Sequence, residues 1–126
     1  MTERLLLSFD LGTTAIKVGL FTVAGDLLRL ETREQELLFG SNGRVEQAPE
    51  KTWAMLADAT RAATAGSPAS EIAAIALSLQ RGTVIPLTAN GEPLSNFIVW
   101  MDKRNLPVVA ELSQEVGRER YYQTAG

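Results

Sequence analysis

The chain has 126 residues, and this length predicts one domain, because folding at this size buries roughly two thirds of the unfolded surface. Its 12 basic and 15 acidic residues give a net charge of -3, which argues against a nonspecific nucleic-acid or membrane-surface binder, since both need a cationic excess. Cysteine and histidine are absent, which excludes disulfides, thiolate nucleophiles and zinc-cysteine sites and leaves acid-base chemistry to carboxylates or lysine.

The first residues, MTERLLLSFD, contain an apolar run that is too short for a signal peptide. No apolar stretch approaches the roughly 20 residues that a membrane-spanning helix needs. We therefore expect a cytoplasmic protein.

Three strands are predicted in the first part of the chain. Leu5 to Phe9 is nearly all apolar, as a central strand covered on both faces would be, and Ile16 to Val23 is rich in β-branched and apolar residues. Leu27 to Glu36 alternates loosely between apolar and charged residues, which is typical of a strand with one solvent-facing side. The turn AGD at 24–26 joins the last two strands, so this region predicts an antiparallel meander.

An irregular loop and a helix are predicted next. The segment FGSNGRVEQAPE is rich in loop-forming residues, and the helix begins near Pro49 and stops at Gly66 and Pro68. One face of the helix carries the apolar side chains that should pack on a sheet: Trp53, Leu56, Ala57 and Ala63.

The rest of the chain predicts a strand, a hairpin and a last helix. Ile72 to Leu79 is a buried strand by composition, and its position after a helix suggests a parallel crossover that adds a fourth strand. Asn90-Gly91 is the strongest turn signal, and Pro86 confines its strand to an edge or a bulge. The last helix is predicted from about Asn105 to near Tyr122.

A small-residue turn follows the first strand in the segment DLGTTAIKVGLF, and Asp10 stands directly before it. Turns such as Gly12-Thr13-Thr14 expose N-H groups and hydroxyls that suit phosphate oxygens, a nearby carboxylate can hold magnesium, and Lys17 could reach the phosphate. The alternative is structural: Asp10 caps its own turn, and Gly12 supplies a positive φ. The motif alone leaves both interpretations open.

Three separated blocks resemble one family, and they occur in that family's order. DLGTTAIKVGLF resembles the first phosphate motif of the actin-like ATPase superfamily and, within it, of the FGGY carbohydrate kinases. GRVEQAPEKTW and IALSLQRGTVIPLTANGEPLSNFIVWMDKRN resemble two later segments of these kinases. The resemblance covers essentially the whole chain, and it implies an α/β fold of the ribonuclease H-like type, a mixed sheet with flanking helices.

The resemblance implies roles for the residues of the first block. Asp10 is expected to position Mg²⁺, usually through water. Gly12, Thr13 and Thr14 would form the loop that faces the terminal phosphates of ATP. Lys17 takes the place of a basic residue often found there.

In the third block, the resemblance assigns Gln80, Arg81 and Trp100 to the sugar pocket. The arginine would hydrogen-bond hydroxyls, and the tryptophan would cover an apolar sugar face. Trp100 is equally compatible with a core anchor. Asp102 is also predicted to bind substrate, directly or from behind the pocket, whereas a surface salt bridge is the favoured interpretation of Arg104.

The sugar stays open, because the chain departs from two members of the family. Glycerol kinases carry a glutamate after the Gln-Arg pair, where this chain has Gly82, so glycerol is a doubtful substrate. Xylulokinases typically carry a methionine-histidine pair after the glutamine, which Arg81-Gly82 does not match. A pentulose, another ketose or a polyol remain as candidates.

FGGY kinases are much longer than this chain, so residues 1–126 are expected to be the N-terminal part of their sugar-binding domain. The parent would transfer the γ-phosphate of ATP to a sugar hydroxyl. The aspartate that acts as general base is expected beyond Gly126, which predicts that the chain alone is inactive. A cut edge would expose apolar surface and favour self-association, so a homodimer stays open. The alternative is a noncatalytic actin-like module for nucleotide binding or protein interaction.

Overall fold

The computed structural model describes residues 4–125. They form two sheets, with helices at one face of the larger sheet and at the C-terminal end of the chain. The strands are β1 (Leu5–Leu11), β2 (Ala15–Thr22), β3 (Leu27–Glu34), β4 (Leu38–Phe39), β5 (Val45–Gln47), β6 (Ile72–Leu79) and β7 (Phe97–Ile98). The α-helices are α1 (Pro49–Ala63), α2 (Leu106–Val116) and α3 (Arg118–Ala125).

The larger sheet has four strands in the order β3-β2-β1-β6. The first three are antiparallel neighbours, as the predicted meander requires, and β6 lies parallel to β1 after the α1 crossover. The predicted mixed α/β sheet and its fourth strand are therefore confirmed. Because β1 and β6 are parallel, their C-terminal ends lie at the same edge of the sheet.

Helix α1 covers one face of this sheet and forms the core with it. Its two buried alanines, Ala59 and Ala63, pack against alternate side chains of the first two strands. Those strand residues are Leu5, Leu7, Ile16, Val18 and Leu20. From β3, Arg29 donates hydrogen bonds to the carbonyls of Ala63 and Ala65, which satisfies acceptors at the C-terminal end of α1.

The structure corrects two predictions about burial. Trp53 is 70% exposed, so it is not part of the helix-sheet core; the alanines and the half-buried Met55 and Leu56 fill that role. Strand β6 is not buried, since Ile75 and Leu77 are 60% and 66% exposed. This exposure has two reasons. α1 packs over β2 and β3 and not over β6, and β6 is an edge strand with which no further strand of residues 4–125 pairs.

The predicted irregular loop contains two short strands. β4 and β5 pair with each other, and β5 also pairs with β7, which gives a small second sheet. The hairpin turn at Asn90-Gly91 is confirmed, because Thr88 donates its N-H to the Glu92 carbonyl at 2.9 Å. Two isolated bridges extend this hairpin, and one of them pairs Leu87 with Pro93.

The predicted last helix is two helices. α2 ends at Val116, and Gly117 adopts a φ of +76°, a conformation that ends a helix and favours glycine. α3 follows directly from Arg118. Within residues 4–125, no helix combines the length and the apolar character needed to cross a bilayer.

Candidate functional site

A cavity of about 500 Å³ lies where the C-terminal ends of β1 and β6 meet. The turn after β1 and the segment after β6 form its walls, and the chain leaving the small sheet closes one side. It is lined by Asp10, Gly12, Thr13, Leu79, Gln80, Arg81 and Trp100. The structure thus brings Asp10, Gly12 and Thr13 together with the three residues that the sequence predicts for a sugar pocket.

The turn after β1 is tight at Gly12. The Gly12 N-H donates to the Ala15 carbonyl oxygen at 3.0 Å, and a Cβ at position 12 would lie 3.0 Å from that same oxygen. Gly12 is not among the residues with positive φ. A glycine is therefore needed for close approach of backbone atoms, and the alternative based on a positive φ is wrong.

Asp10 lines the cavity without a structural partner. Its side chain makes no hydrogen bond or ion pair with residues 4–125, so it does not cap the turn. It is the cross-strand partner of Lys17, so the two side chains lie on the sheet face opposite α1. Thr14 and Lys17 are exposed beside the cavity and do not line it.

The single free carboxylate of Asp10 could be one ligand of a magnesium ion, but it could not by itself hold a metal whose ligands all come from the protein. Among the described residues, no group of three or more acidic side chains is close enough to hold a metal ion. Mg²⁺ is commonly held by one or two carboxylates together with phosphate oxygens and water. The unpaired Asp10 carboxylate at an open cavity matches that pattern.

Hydrogen bonds join the turn to the segment after β6. The Trp100 indole Nε1-H donates to Thr13 Oγ1 at 2.9 Å, and Thr13 Oγ1 donates to Gln80 Oε1 at 3.0 Å. Gln80 Nε2 donates to Gln47 Oε1 at 2.9 Å, and Gln47 Nε2 donates to the Thr13 carbonyl at 2.7 Å. The hydroxyl of Thr13 therefore has protein partners on both sides.

A second glutamine supports the turn from the other side. Gln35 Nε2 donates to the Gly12 carbonyl at 2.6 Å, and Thr52 Oγ1 of α1 donates to Gln35 Oε1 at 3.0 Å. The Gln35 backbone N-H donates to the Thr14 carbonyl at 2.8 Å. Sequence reasoning missed both Gln35 and Gln47. Only Gln47 had a signal, because it stands in the GRVEQAPEKTW block.

The residues that the sequence predicts for a sugar pocket are accessible in the structure. Trp100 is 57% exposed, so the interpretation as a core anchor is wrong. Arg81 is exposed and forms no salt bridge with the described residues. Gly82 has a φ of +71°, and a Cβ there would lie 3.4 Å from the Cβ of Trp100. Any residue with a side chain would be strained at position 82 in this backbone.

Asp102 lies outside the cavity, in a buried ion-pair cluster. Its carboxylate accepts bonds from Arg104 Nε at 2.8 Å and Nη2 at 2.7 Å, and from the Val45 N-H at 2.8 Å. Arg104 also contacts Glu46 at 2.6 Å. The structure therefore places Asp102 as an anchor of the small sheet, and Arg104 in a half-buried salt bridge with it.

This cluster shifts the protonation of its members. The hydrogen bonds from Arg104 hold the pKa of Asp102 far below its ordinary value of 3.8, and two backbone N-H groups act in the same direction. The same arginine, followed by Asn96, lowers the pKa of Glu46. Both carboxylates are thus charged at neutral pH, and the charge is part of the folded structure.

Asp102→Asn should lower the melting temperature at pH 7 by several degrees and make the melting temperature less dependent on pH in the acidic range. Because the pKa of Asp102 is lower in the folded state, its contribution is complete well above pH 3.8 and is lost as the pH falls below that value. Thermal unfolding from pH 7 to pH 2 should show the two proteins converging. Asp58→Asn, which alters the exposed pair with Arg33, is the control and should change little. A constant difference at every pH would contradict the prediction.

Comparison with known proteins agrees with the geometry. The family model for the N-terminal domain of the FGGY family of carbohydrate kinases matches residues 5–126. The glycerol kinase of Saccharopolyspora erythraea is 33% identical over 94% of this chain, and that of Nocardia farcinica is 35% identical over 98%. The chain spans 24% and 26% of these relatives, about a quarter of their length.

Solved structures share the fold. The crystal structure of a gluconate kinase from Lactobacillus acidophilus matches 96% of this chain with a TM-score of 0.86 at 24% identity. A ligand-bound xylulose kinase from the same organism matches 95% with a TM-score of 0.85, also at 24% identity. In each case the chain covers 24% of the larger protein. The family model covers nearly every residue, and the chain therefore belongs to the FGGY family of carbohydrate kinases, whose N-terminal domain is the part that it matches.

Proposed function

We propose that residues 1–126 are the N-terminal part of the sugar-binding domain of an ATP-dependent kinase, which transfers the γ-phosphate of ATP to a hydroxyl of a sugar or polyol. The observation that carries the proposal is the single cavity that joins the turn at Asp10 to the segment of Gln80, Arg81 and Trp100. Phosphoryl transfer requires the acceptor hydroxyl beside the terminal phosphate, and one continuous cavity meets that requirement.

On the phosphate side, the turn offers donors that are not otherwise used. The backbone N-H groups of Thr13 and Thr14 donate to no acceptor among the described residues, so they can face the terminal phosphates. Asp10 would hold Mg²⁺ directly or through water, and Lys17 would add positive charge nearby. When bound, the ion neutralises phosphate charge.

On the sugar side, Arg81 and Gln80 supply hydrogen bonds to hydroxyls, and Trp100 supplies an apolar face. Asp102 contributes from behind by fixing the segment that follows Trp100. A general base for the acceptor hydroxyl is expected from a part of the protein beyond residue 126. The described cavity contains Asp10 as its only carboxylate, and that group is assigned to the metal.

The substrate class is a sugar or polyol, and position 82 bears on the choice. Gly82 provides no carboxylate at the place where the sequence resemblance expects one in glycerol kinases, and its positive φ disfavours any replacement. The sequence relatives are nevertheless glycerol kinases, and the structural neighbours include gluconate and xylulose kinases. Pentuloses, other ketoses and polyols are all candidates.

A coupled assay of ADP release tests the proposal. The full-length protein with Mg²⁺-ATP is expected to release ADP in the presence of one member of a panel of ketoses and polyols, and to be slow without it. ATP binding with no response to any member would favour a noncatalytic nucleotide-binding module instead. That alternative predicts that ATP binding does not change when Gln80 or Arg81 is substituted.

The proposed location is cytoplasmic. The net charge of -3 supports small-molecule substrates over nucleic acid or anionic membrane surfaces as partners.

The chain of residues 1–126 is proposed to form a homodimer through β6. The outer edge of this strand is unpaired in the described residues, its sequence IAAIALSL carries no charge, and two copies can pair antiparallel about a two-fold axis. Beside it lies an apolar groove of about 510 Å³ that includes Trp53, Ile75 and Leu77. A second copy would cover both the edge and the groove.

Leu77→Lys should convert this dimer to a monomer, because the substitution places a charge in the centre of the paired face. Light scattering coupled to gel filtration of residues 1–126 measures the change. Lys103→Ala, on an exposed residue away from β6, is the control and should remain dimeric. A wild-type chain that is monomeric at high concentration would contradict the proposed dimer.

A further inference from the structure

Gln47 is a buried polar residue that contacts both halves of the candidate site without lining the cavity. It ends β5 and is 1% exposed. Its Nε2 donates to the carbonyl of Thr13 in the turn Gly12-Thr13-Thr14, called the phosphate turn, and its Oε1 accepts from Nε2 of Gln80 on the sugar side. Both ends of one carboxamide are therefore used to connect the two walls.

The hydrogen bonds around Gln47 have only one possible direction. At the first end, the indole N-H of Trp100 can only donate, so the Thr13 hydroxyl accepts from it. The hydrogen of this hydroxyl goes to Gln80 Oε1, because an amide oxygen can only accept. At the last end, the Thr13 carbonyl can only accept, so it receives Nε2-H of Gln47. The two amides between these ends must then be oriented as the structure has them.

We call this chain of hydrogen bonds the amide relay. It runs from Trp100 to the Thr13 hydroxyl, then through Gln80 and Gln47, and ends at the Thr13 carbonyl. It meets Thr13 twice, at the hydroxyl and at the carbonyl, so the phosphate turn and the sugar-side segment cannot move apart without breaking one of these bonds. The bonds made by Gln47 and Gln80 are partly buried, and the bond from Trp100 to Thr13 is exposed. Gln47 is the buried member, and a buried donor or acceptor without a partner is costly, so its two bonds favour one fixed arrangement of the two walls.

We propose that Gln47 is a positioning residue that sets the distance between the phosphate turn and the sugar-side residues, and so the approach of the acceptor hydroxyl to the γ-phosphate. The inference rests on the proposed kinase function. It predicts that disturbing Gln47 affects the binding of both substrates and also turnover, although Gln47 touches neither substrate.

Gln47→Glu and Gln47→Leu test the inference in the full-length protein. The glutamate conserves volume but replaces the donor to Thr13 with an acceptor, and the leucine removes both polar groups. Each variant should raise the KM for the sugar and the KM for ATP by about tenfold and lower kcat as well. Gln35→Leu is the matched comparison, because Gln35 holds the turn through Gly12 and makes no bond to Gln80. It should raise the KM for ATP and leave the KM for the sugar nearly unchanged.

A double-mutant cycle adds a readout that loss of stability alone would not move. Trp100→Phe removes the donor at the first end of the relay and keeps an aromatic ring. Combined with Gln47→Leu, it should change kcat/KM by clearly less than the product of the two single effects, because either change already breaks the relay. Multiplicative effects would mean that the two residues act independently, which would overturn the inference.

Circular dichroism and melting temperature are measured for each variant. If both Gln47 variants unfold, or if they lose stability with both KM values unchanged, Gln47 is a residue of the fold and the inference is wrong. If the wild-type protein phosphorylates no sugar, the proposed function fails and takes the inference with it. An active wild type whose Gln47 variants match it in KM and kcat would refute the inference alone.

Discussion

Asp10→Asn in the full-length protein should lower turnover by about two to three orders of magnitude and leave the melting temperature nearly unchanged. The substitution keeps the shape of the side chain and removes its charge from the cavity. Stability should hold because the Asp10 carboxylate makes no hydrogen bond or ion pair with the described residues. Activity should fall because the charge that would position magnesium at the phosphates is lost.

Asp26→Asn is the control for Asp10. Asp26 is also an aspartate at a turn of the main sheet, but it is exposed and bonds Thr22, whose Oγ1 donates to it at 3.2 Å. This variant should keep full activity with a small change in melting temperature. Steady-state kinetics and thermal unfolding of both variants decide the matter. A large drop in melting temperature for Asp10→Asn with turnover intact would show that Asp10 serves the fold.

Arg81→Ala should raise the KM for the sugar by about ten- to a hundredfold, and far more than the KM for ATP. A charged hydrogen bond to a substrate hydroxyl contributes about 1.5 to 3 kcal/mol, which corresponds to a change of this size. Arg81 is exposed and forms no salt bridge in residues 4–125, so its loss should not weaken the fold. Initial rates at varied concentrations of each substrate give the two KM values.

Arg61→Ala is the matched control for Arg81. Arg61 is an exposed arginine on α1, on a different part of the surface, and its side chain makes no hydrogen bond with the described residues. Both KM values should be unchanged in this variant. Equal increases for sugar and ATP in Arg81→Ala would instead assign Arg81 to the structure of the site.

The parts of the fold set by local sequence were predictable. Local residue patterns predict the strands β1, β2 and β3, and local signals at both ends predict where α1 begins and stops. The burial of β6 was not predictable. Its apolar composition is the same whether it lies in the centre or at an edge, and only the placement of α1 over β2 and β3 leaves Ile75 and Leu77 exposed.

The candidate site divides in the same way. Asp10, Gly12 and Thr13 are adjacent in sequence, so the turn could be located from its residue types. Gln47 could not be found by that route, because a three-residue strand has almost no periodic signal and because its burial depends on contacts with Thr13 and Gln80 far away in the chain.

Asp102 and Trp100 also depended on tertiary structure. Both residues stand in one short block, WMDKR. Nothing in that block predicts that Trp100 lines the cavity whereas Asp102 forms an ion pair. In the structure the Asp102 N-H donates to the Val99 carbonyl, which makes a turn. The carboxylate then meets Arg104 and the Val45 N-H, and the indole faces Thr13.

The most direct test of the kinase assignment is phosphorus NMR of the full-length protein with Mg²⁺-ATP and each ketose or polyol of the panel. The account predicts that one compound gives a new phosphomonoester resonance, which grows at the same rate as ADP and is nearly absent for Asp10→Asn. ADP that appears only with inorganic phosphate, or no reaction with any compound, would contradict the account, because no phosphate would then have reached a sugar hydroxyl.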